Sequence, residues 1–199
     1  MHALSPVSKL ADVQTTIFTV MSALAQRHDA INLSQGFPDF DGPPELLQRV
    51  QHYLTNGFNQ YPPMAGVVPL RQAIAEKVVD LYGLQCSVDD EITVTAGATE
   101  ALFCAIAAMV HQGDEVIVFD PCYDSYDPVI RLQGGVPVHV PLVAPNYGVD
   151  WDRVADAITD NTRLIIINTP HNPTGSVWDA ADIEALRQLI ADKDIYLLD

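Results

Sequence analysis

The sequence is poor in basic residues. Only 10 of its 199 residues are lysine or arginine, against 26 aspartates and glutamates, and the formal net charge at pH 7 is −16. Proteins that bind nucleic acids rely on lysine and arginine to neutralise the phosphate backbone. The charge balance therefore argues against a nucleic-acid partner, while it favours solubility.

Long apolar runs and cysteines are also scarce. No segment approaches the ~18 consecutive apolar residues of a membrane span, and the N-terminus lacks the pattern of a signal peptide. The three cysteines, Cys86, Cys104 and Cys122, have no metal-ligand spacing, and their sparse, odd count indicates a reducing compartment. We therefore expect a cytoplasmic protein with no membrane span and no metal site. Cys104 lies in an apolar helical pattern and is predicted to pack in the core.

What is present is typical of a globular α/β protein, with 48% hydrophobic and 18% charged residues. From residue 91 onward, strand-like and helical segments alternate, which predicts a mostly parallel sheet sandwiched by helices. The strand-like segments are residues 92–95, 115–119, 136–140, 164–167 and 195–198. The helical segments between them are residues 100–110, 125–132, 154–158 and 180–191.

The N-terminal part of the sequence predicts helices without strands. Apolar residues recur at helical spacing in residues 17–26 and again in residues 67–81, where Gly83 marks the end of the second helix. Residues 31–44 contain two glycines and three prolines and are predicted to form a loop. Pro43 and Pro44 then open a short helix that continues to Leu54.

An octet of residues, Asn-Thr-Pro-His-Asn-Pro-Thr-Gly, follows the apolar run at 164–167. If the run is a parallel strand, the octet at 168–175 leaves its carboxyl end, where ligands of open α/β sheets bind. The two prolines stiffen the loop, so that Asn172 becomes a rigidly aimed amide with both donor and acceptor atoms. The alternative is an ordinary turn, since turns favour Asn and Pro.

Two other loops follow predicted strands. Residues 95–100 join a strand to a helix through small side chains, and backbone N–H groups at a helix start can bind phosphate. The alternative there is ordinary helix capping. Residues 120–126 contain Tyr123, which could lie flat on a planar ring or could simply cover the core. Tyr126 is predicted to pack in the core.

The octet resembles the fingerprint of fold-type I pyridoxal-phosphate aminotransferases of class I/II. The segments Ser-Gln-Gly-Phe-Pro-Asp-Phe at 34–40 and Asn-Gln-Tyr at 59–61 also match the branch of methionine aminotransferases and kynurenine aminotransferase/glutamine transaminase K enzymes. The resemblance runs from about residue 15 to the last residue. It implies a pyridoxal 5'-phosphate cofactor and transfer of an amino group from an amino acid to a 2-oxo acid. Methionine or another apolar or aromatic donor fits the branch.

The resemblance also implies the residues of the site. The loop at residues 95–100 would hold the cofactor phosphate through Gly97, Ala98 and Thr99. Tyr123 would stack on the pyridine ring. Asn172 would donate to the cofactor's phenolate oxygen and could also meet the substrate carboxylate.

Three further residues are implied in the N-terminal part. Tyr61 would reach the cofactor phosphate of a partner subunit, which implies a homodimer. Gly36 would contact the substrate through its backbone. Phe18 would line the substrate pocket, although a buried position in the arm helix explains this residue as well. We expect residues 1–44 to form an arm and substrate-side loop of a small domain, and residues 45–199 an incomplete cofactor-binding domain.

Transamination through this cofactor needs a lysine for the Schiff base. The sequence contains only Lys9, Lys77 and Lys193, and none follows the serine-rich loop that carries the lysine in the family. Asp199 is either the family's partner of the pyridine nitrogen or the residue before it. We therefore expect this chain to be the N-terminal half of a longer enzyme and to be inactive alone.

Two other functions remain open at this stage. Related enzymes use the same cofactor for β-elimination from cysteine conjugates, a C–S lyase reaction. The absent lysine also allows a non-catalytic domain that only associates with a partner.

Overall fold

The computed structural model describes residues 7–36 and 38–199, and it divides into two compact units. One unit spans residues 15–97. The other contains residues 98–199 together with the described part of the N-terminal segment up to Gln14.

The unit at 15–97 contains helices α1 to α3. The Thr16 side chain caps the start of α1 by accepting a hydrogen bond from the Thr19 amide. Gly83 ends α3 in the left-handed conformation, with φ of 67°, as the sequence predicted. None of the described helices is long and apolar enough to cross a bilayer. The bounds are α1 Ile17–Arg27, α2 Pro44–Thr55 and α3 Val68–Tyr82.

The predicted strand at 92–95 is wrong. A strand needs a hydrogen-bonded neighbouring strand, and the described residues of this unit offer none to this segment. Instead, the Val94 amide donates to the carbonyl of Ala65, a loop residue, over 3.0 Å. The segment is therefore fixed by a loop contact beside Gly66, and the apolar alternation of the sequence does not make it a strand.

The contact at Gly66 gives a testable prediction for stability. Gly66 has φ of +97°, and a Cβ placed there would lie 2.7 Å from Cγ2 of Val94. Gly57 has a similar φ of +85°, but its Cβ would meet nothing within 4 Å. Both alanine substitutions strain the backbone, but only the one at Gly66 also overpacks Val94. We therefore expect Gly66→Ala to lower the free energy of unfolding by about 1–3 kcal/mol more than Gly57→Ala. Urea denaturation of both variants measures the difference, and equal losses would contradict the prediction.

The unit at 98–199 is built on a four-stranded, fully parallel sheet in the order β2-β1-β3-β4. The predicted fold class is confirmed, since four helices alternate with these strands. The strands are β1 Glu115–Asp120, β2 Val136–Pro141, β3 Thr162–Ile166 and β4 Tyr196–Leu198. The helices are α4 Ala98–Met109, α5 Tyr126–Leu132, α6 Trp151–Ala157 and α7 Ala180–Ile190.

Alternate residues of the central strands enter two separate apolar clusters, one on each face of the sheet. On one face, Val116 and Val118 of β1 pack with residues of α4 and α5. On the other face, Ile117 and Phe119 pack with residues of α6 and α7. The two central strands, β1 and β3, are buried on both faces, which explains why their sequences are largely continuous apolar runs.

Cys104 does not lie in the core, and this prediction is wrong. Cys104 is exposed, whereas Ile106 on the same helix is fully buried. Two residues along a helix correspond to about 200° of rotation, so the two side chains lie on opposite sides of α4. After Glu100 the α4 sequence is apolar on every side, and only the packing against the sheet selects the buried side.

Candidate functional site

The loops after β1 and β3 leave the same edge of the sheet, because these strands are neighbours and parallel. His171, in the loop after β3, makes a hydrogen bond with the backbone of Phe119 near the end of β1. His171 is also buried, with 6% of its surface exposed. This contact joins the octet loop to the end of β1 at the carboxyl edge, where the sequence placed the candidate site.

Internal hydrogen bonds brace the octet loop at 168–175. Nδ1 of His171 lies 2.8 Å from Oγ1 of Thr174, and the Gly175 amide donates to the His171 carbonyl over 2.7 Å. The backbone N–H of Asn172 donates to Oδ1 of Asn168 over 2.6 Å. Asn172 itself is exposed. The loop therefore holds the Asn172 backbone in place and leaves the residue exposed.

The environment of His171 explains its part in this loop. Burial lowers the pKa of His171 below its usual value, although its hydrogen bond with the Phe119 backbone acts in the opposite direction. The ring is thus kept neutral and its nitrogens are occupied by Thr174 and Phe119. A ring engaged in this way supports the loop, and we assign it no proton-transfer role.

Tyr123 follows β1 and lies beside the first turn of α4. Its hydroxyl is 3.3 Å from Oγ1 of Thr99. Its ring also meets the ring of Tyr126 edge-on, with a centroid distance of 5.7 Å. Tyr126 is buried in the core, which confirms the packing role predicted for it. Thr99 and Tyr123, which are 24 residues apart in sequence, are therefore neighbours in the fold.

Asp199 follows β4 and lies near this group of residues. Burial raises the pKa of Tyr126, and nearby charges, including that of Asp199, raise it further. β4 is parallel to β3, so its end lies at the same edge as the octet loop. The structure thus puts a carboxylate at the carboxyl edge of the sheet.

The start of α4 provides the backbone expected of an anion site. Ala98 is its first residue and Thr99 its second, and the backbone N–H groups of these two positions have no acceptor within the helix itself. Gly97, just before the helix, has φ of +90°, and a Cβ there would meet nothing within 4 Å. Glycine is favoured at this position by the backbone conformation rather than by lack of space.

The other three residues that the sequence predicted for the site lie in the unit at 15–97. Tyr61 is fully exposed, at 100% of its surface. Gly36 has open space where a side chain would be. Phe18 is half-buried on α1. Each is accessible to some extent, as a residue that contacts a ligand or a partner subunit must be.

No lysine of the described chain lies in the loops at the carboxyl edge. Lys9, Lys77 and Lys193 are all exposed. Lys193 lines a polar cleft of about 520 Å³ together with residues that precede β1, β3 and β4. That cleft is at the amino ends of the strands, whereas ligands of this architecture bind at the carboxyl ends.

A group of three side chains at the end of β1 was missed by the sequence analysis. Asp120, Cys122 and His139 bring one carboxylate oxygen, the thiol sulfur and one ring nitrogen within 4.8 Å of one another. Burial, followed by the charge and hydrogen bond of Asp120, raises the pKa of the Cys122 thiol to about 12. Cysteine spacing could not reveal the group, because His139 comes from β2.

The family is established by comparison with known proteins. Residues 28–198 match the family model described as aminotransferase class I and II. This chain belongs to the class I and II aminotransferase family, whose members use pyridoxal phosphate. The resemblance inferred from the octet is confirmed.

Individual relatives agree with this assignment. The chain is 57% identical over 197 residues to the methionine aminotransferase of Escherichia coli K12, covering 99% of this chain and 51% of the relative. It is 35% identical over 185 residues to human kynurenine–oxoglutarate transaminase 1, covering 86% of this chain and 44% of the relative. The chain thus spans about half the length of the curated relatives it matches.

Two solved aminotransferase structures also match this chain over about half of their own length. The crystal structure of YbdL from Escherichia coli, for which a methionine aminotransferase function was identified, matches with a TM-score of 0.94 and 57% identity. The match covers 98% of this chain and 51% of that one. The structure of N-succinyldiaminopimelate aminotransferase from Mycobacterium tuberculosis matches with a TM-score of 0.92 and 44% identity, over 97% of this chain and 51% of that one.

Proposed function

We propose that the protein containing this chain is a pyridoxal-phosphate-dependent aminotransferase that moves an amino group from an amino acid to a 2-oxo acid. The donor we propose is methionine or a similar apolar or aromatic amino acid. The observation that carries the proposal is the 57% identity, over 99% of the chain, to a methionine aminotransferase.

The residues at the carboxyl edge fit this cofactor. We propose that Gly97, Ala98 and Thr99 hold its phosphate, since helix-start N–H groups and a hydroxyl are suitable donors to an anion. Tyr123, held 3.3 Å from Thr99 through its hydroxyl, stacks on the pyridine ring. When bound, the cofactor supplies the electron sink of the reaction.

Asn172 has two proposed roles. Its side-chain amide N–H group donates to the phenolate oxygen of the cofactor and so stabilises the anionic form of that oxygen. The same amide also contacts the substrate carboxylate. The support is the braced loop, in which the Asn172 backbone is fixed by Asn168 while the residue stays exposed.

We assign the Schiff-base role to no lysine of this chain, because all three are exposed and none lies in the loops at the carboxyl edge. Catalysis therefore needs a lysine from elsewhere in the complete protein. We expect the isolated 199-residue polypeptide to show no transaminase turnover.

The proposal extends to the N-terminal residues. Gly36 contacts the substrate through its backbone, and Phe18 lines the substrate pocket. Tyr61 reaches the cofactor phosphate of a partner subunit, which makes the protein a homodimer. We propose that residues 1–44 belong to a small domain and residues 45–199 to the cofactor-binding domain. The three free cysteines fit the cytoplasmic location we propose.

An activity assay of the complete protein tests the proposed function. With methionine as donor, we expect amine transfer that depends on an added 2-oxo acid, with saturation by both substrates. Release of pyruvate and ammonia from a cysteine conjugate, without any need for an oxo acid, would instead favour the β-lyase. Failure to bind pyridoxal phosphate at all would favour the association domain and overturn the proposal.

A further inference from the structure

Three side chains at the carboxyl end of β1 lie close together outside the residues assigned to the cofactor. Asp120 is the last residue of β1, Cys122 follows it by two positions, and His139 lies on the neighbouring strand β2. Nδ1 of His139 is 3.0 Å from Oδ1 of Asp120, and one ligand atom from each of the three residues lies within 4.8 Å of the others.

We propose that Asp120, Cys122 and His139 form a binding site for a divalent transition-metal ion of the zinc class. Carboxylate oxygen, thiolate sulfur and imidazole nitrogen are the three protein ligand types of zinc. Three protein ligands plus a water complete the four-coordinate geometry that zinc prefers. Metal–ligand bonds of about 2.0–2.3 Å place ligand atoms roughly 3.3–3.7 Å apart, so closure of the observed group needs only small side-chain rotations.

The second nitrogen of His139 supports this assignment. Nε2 lies 3.4 Å from Oδ2 of Asp127, on α5. With the metal on Nδ1, Nε2 keeps its proton and donates to Asp127, which is the usual carboxylate partner of a metal-bound histidine. Asp127 is itself held by Arg131, whose Nη1 lies 3.2 Å from Oδ1 of Asp127. The outer partner of the site is thus already in place.

The carboxylates around His139 also favour a cation. Asp120 and Asp127 lie 3.0 Å and 3.4 Å from its two ring nitrogens. A dication bound to this group is attracted by both carboxylates. On binding, the S–H bond of Cys122 breaks, its proton passes to solvent, and a sulfur–metal bond forms while the hydrated ion loses water. No oxidation or reduction is involved.

The experiment uses the purified, chelator-treated complete protein and two metal ions. Zn²⁺ binding is measured by isothermal titration calorimetry. Co²⁺ is added separately to reveal a sulfur-to-cobalt charge-transfer band and the strong visible bands of four-coordinate cobalt. The variants are Cys122→Ser and His139→Gln, with Cys104→Ser as the matched control, because Cys104 is an exposed cysteine outside the site.

We expect one Zn²⁺ per chain in the protein and in Cys104→Ser. Affinity should fall at least about 10-fold in Cys122→Ser and in His139→Gln, since even outer partners of metal ligands contribute that much. The charge-transfer band should disappear in Cys122→Ser only. His139→Gln, at a half-exposed position, remains informative if Cys122→Ser fails to fold. Absence of saturable binding, or equal affinity in all variants, would overturn the proposal.

Discussion

Replacement of Asn172 by alanine is expected to lower kcat/KM for amine transfer by about 100- to 1000-fold in the complete protein. Loss of one fixed hydrogen-bond donor to a negatively charged oxygen in an active site typically lowers the rate by that factor. The donor is fixed because its backbone is bound to Asn168 over 2.6 Å within the braced octet loop. Steady-state kinetics with methionine and a 2-oxo acid measure the change.

A second measurement separates this role from a merely structural one. If the Asn172 amide donates to the cofactor's phenolate oxygen, its loss raises the pKa of the bound cofactor, and the pH midpoint of its visible absorption moves upward. Asn146→Ala, at an exposed position in the turn after β2, is the control. It should leave both kcat/KM and the pH midpoint of the cofactor absorption unchanged. Unchanged kinetics and absorption in Asn172→Ala would refute the assigned role.

Replacement of Ile165 by alanine is expected to lower the free energy of unfolding by about 2–5 kcal/mol. Ile165 is fully buried in β3, in the cluster that joins the sheet to α6 and α7. Truncation removes apolar contacts and leaves a cavity between close-packed elements, which the sheet cannot close. Urea denaturation, followed by circular dichroism, measures the loss.

Val177→Ala is the matched control for this prediction. Val177 is another β-branched residue, but 68% of its surface is exposed. Its truncation should change the free energy of unfolding by no more than about 0.5 kcal/mol. A loss in Ile165→Ala as small as that of the control would mean that the apolar cluster contributes little to stability.

The elements of the unit at 98–199 could be predicted because their local patterns agree with their final environment. The run at 164–167 has the composition of a strand buried on both faces, and the structure gives β3 at Thr162–Ile166. Asp179 and Asp182 form a capping box at the start of α7, which is a local interaction. Such elements can be predicted from the local sequence, without knowing which distant residues they contact, provided that the chain forms a core.

The failures at 92–95 and at Cys104 have a common cause. The segment at 92–95 has a strand-like alternation, but it lacks a neighbouring strand in the described chain and is fixed by Ala65 instead. The apolar sequence of α4 does not say which of its sides meets the sheet, and Cys104 lies on the exposed side. Both outcomes depend on partners that are remote in sequence.

By itself, the sequence determined the α/β class and the position of the octet loop after a buried strand, which follow from residue order and short-range periodicity. The family and the cofactor expected at that loop came from the resemblance of its motifs to a known family. Only the tertiary structure decided that Thr99 meets Tyr123 and that Asp120, Cys122 and His139 form one group. The physical reason is that strand order and register, which the whole core sets, determine which loop residues become neighbours.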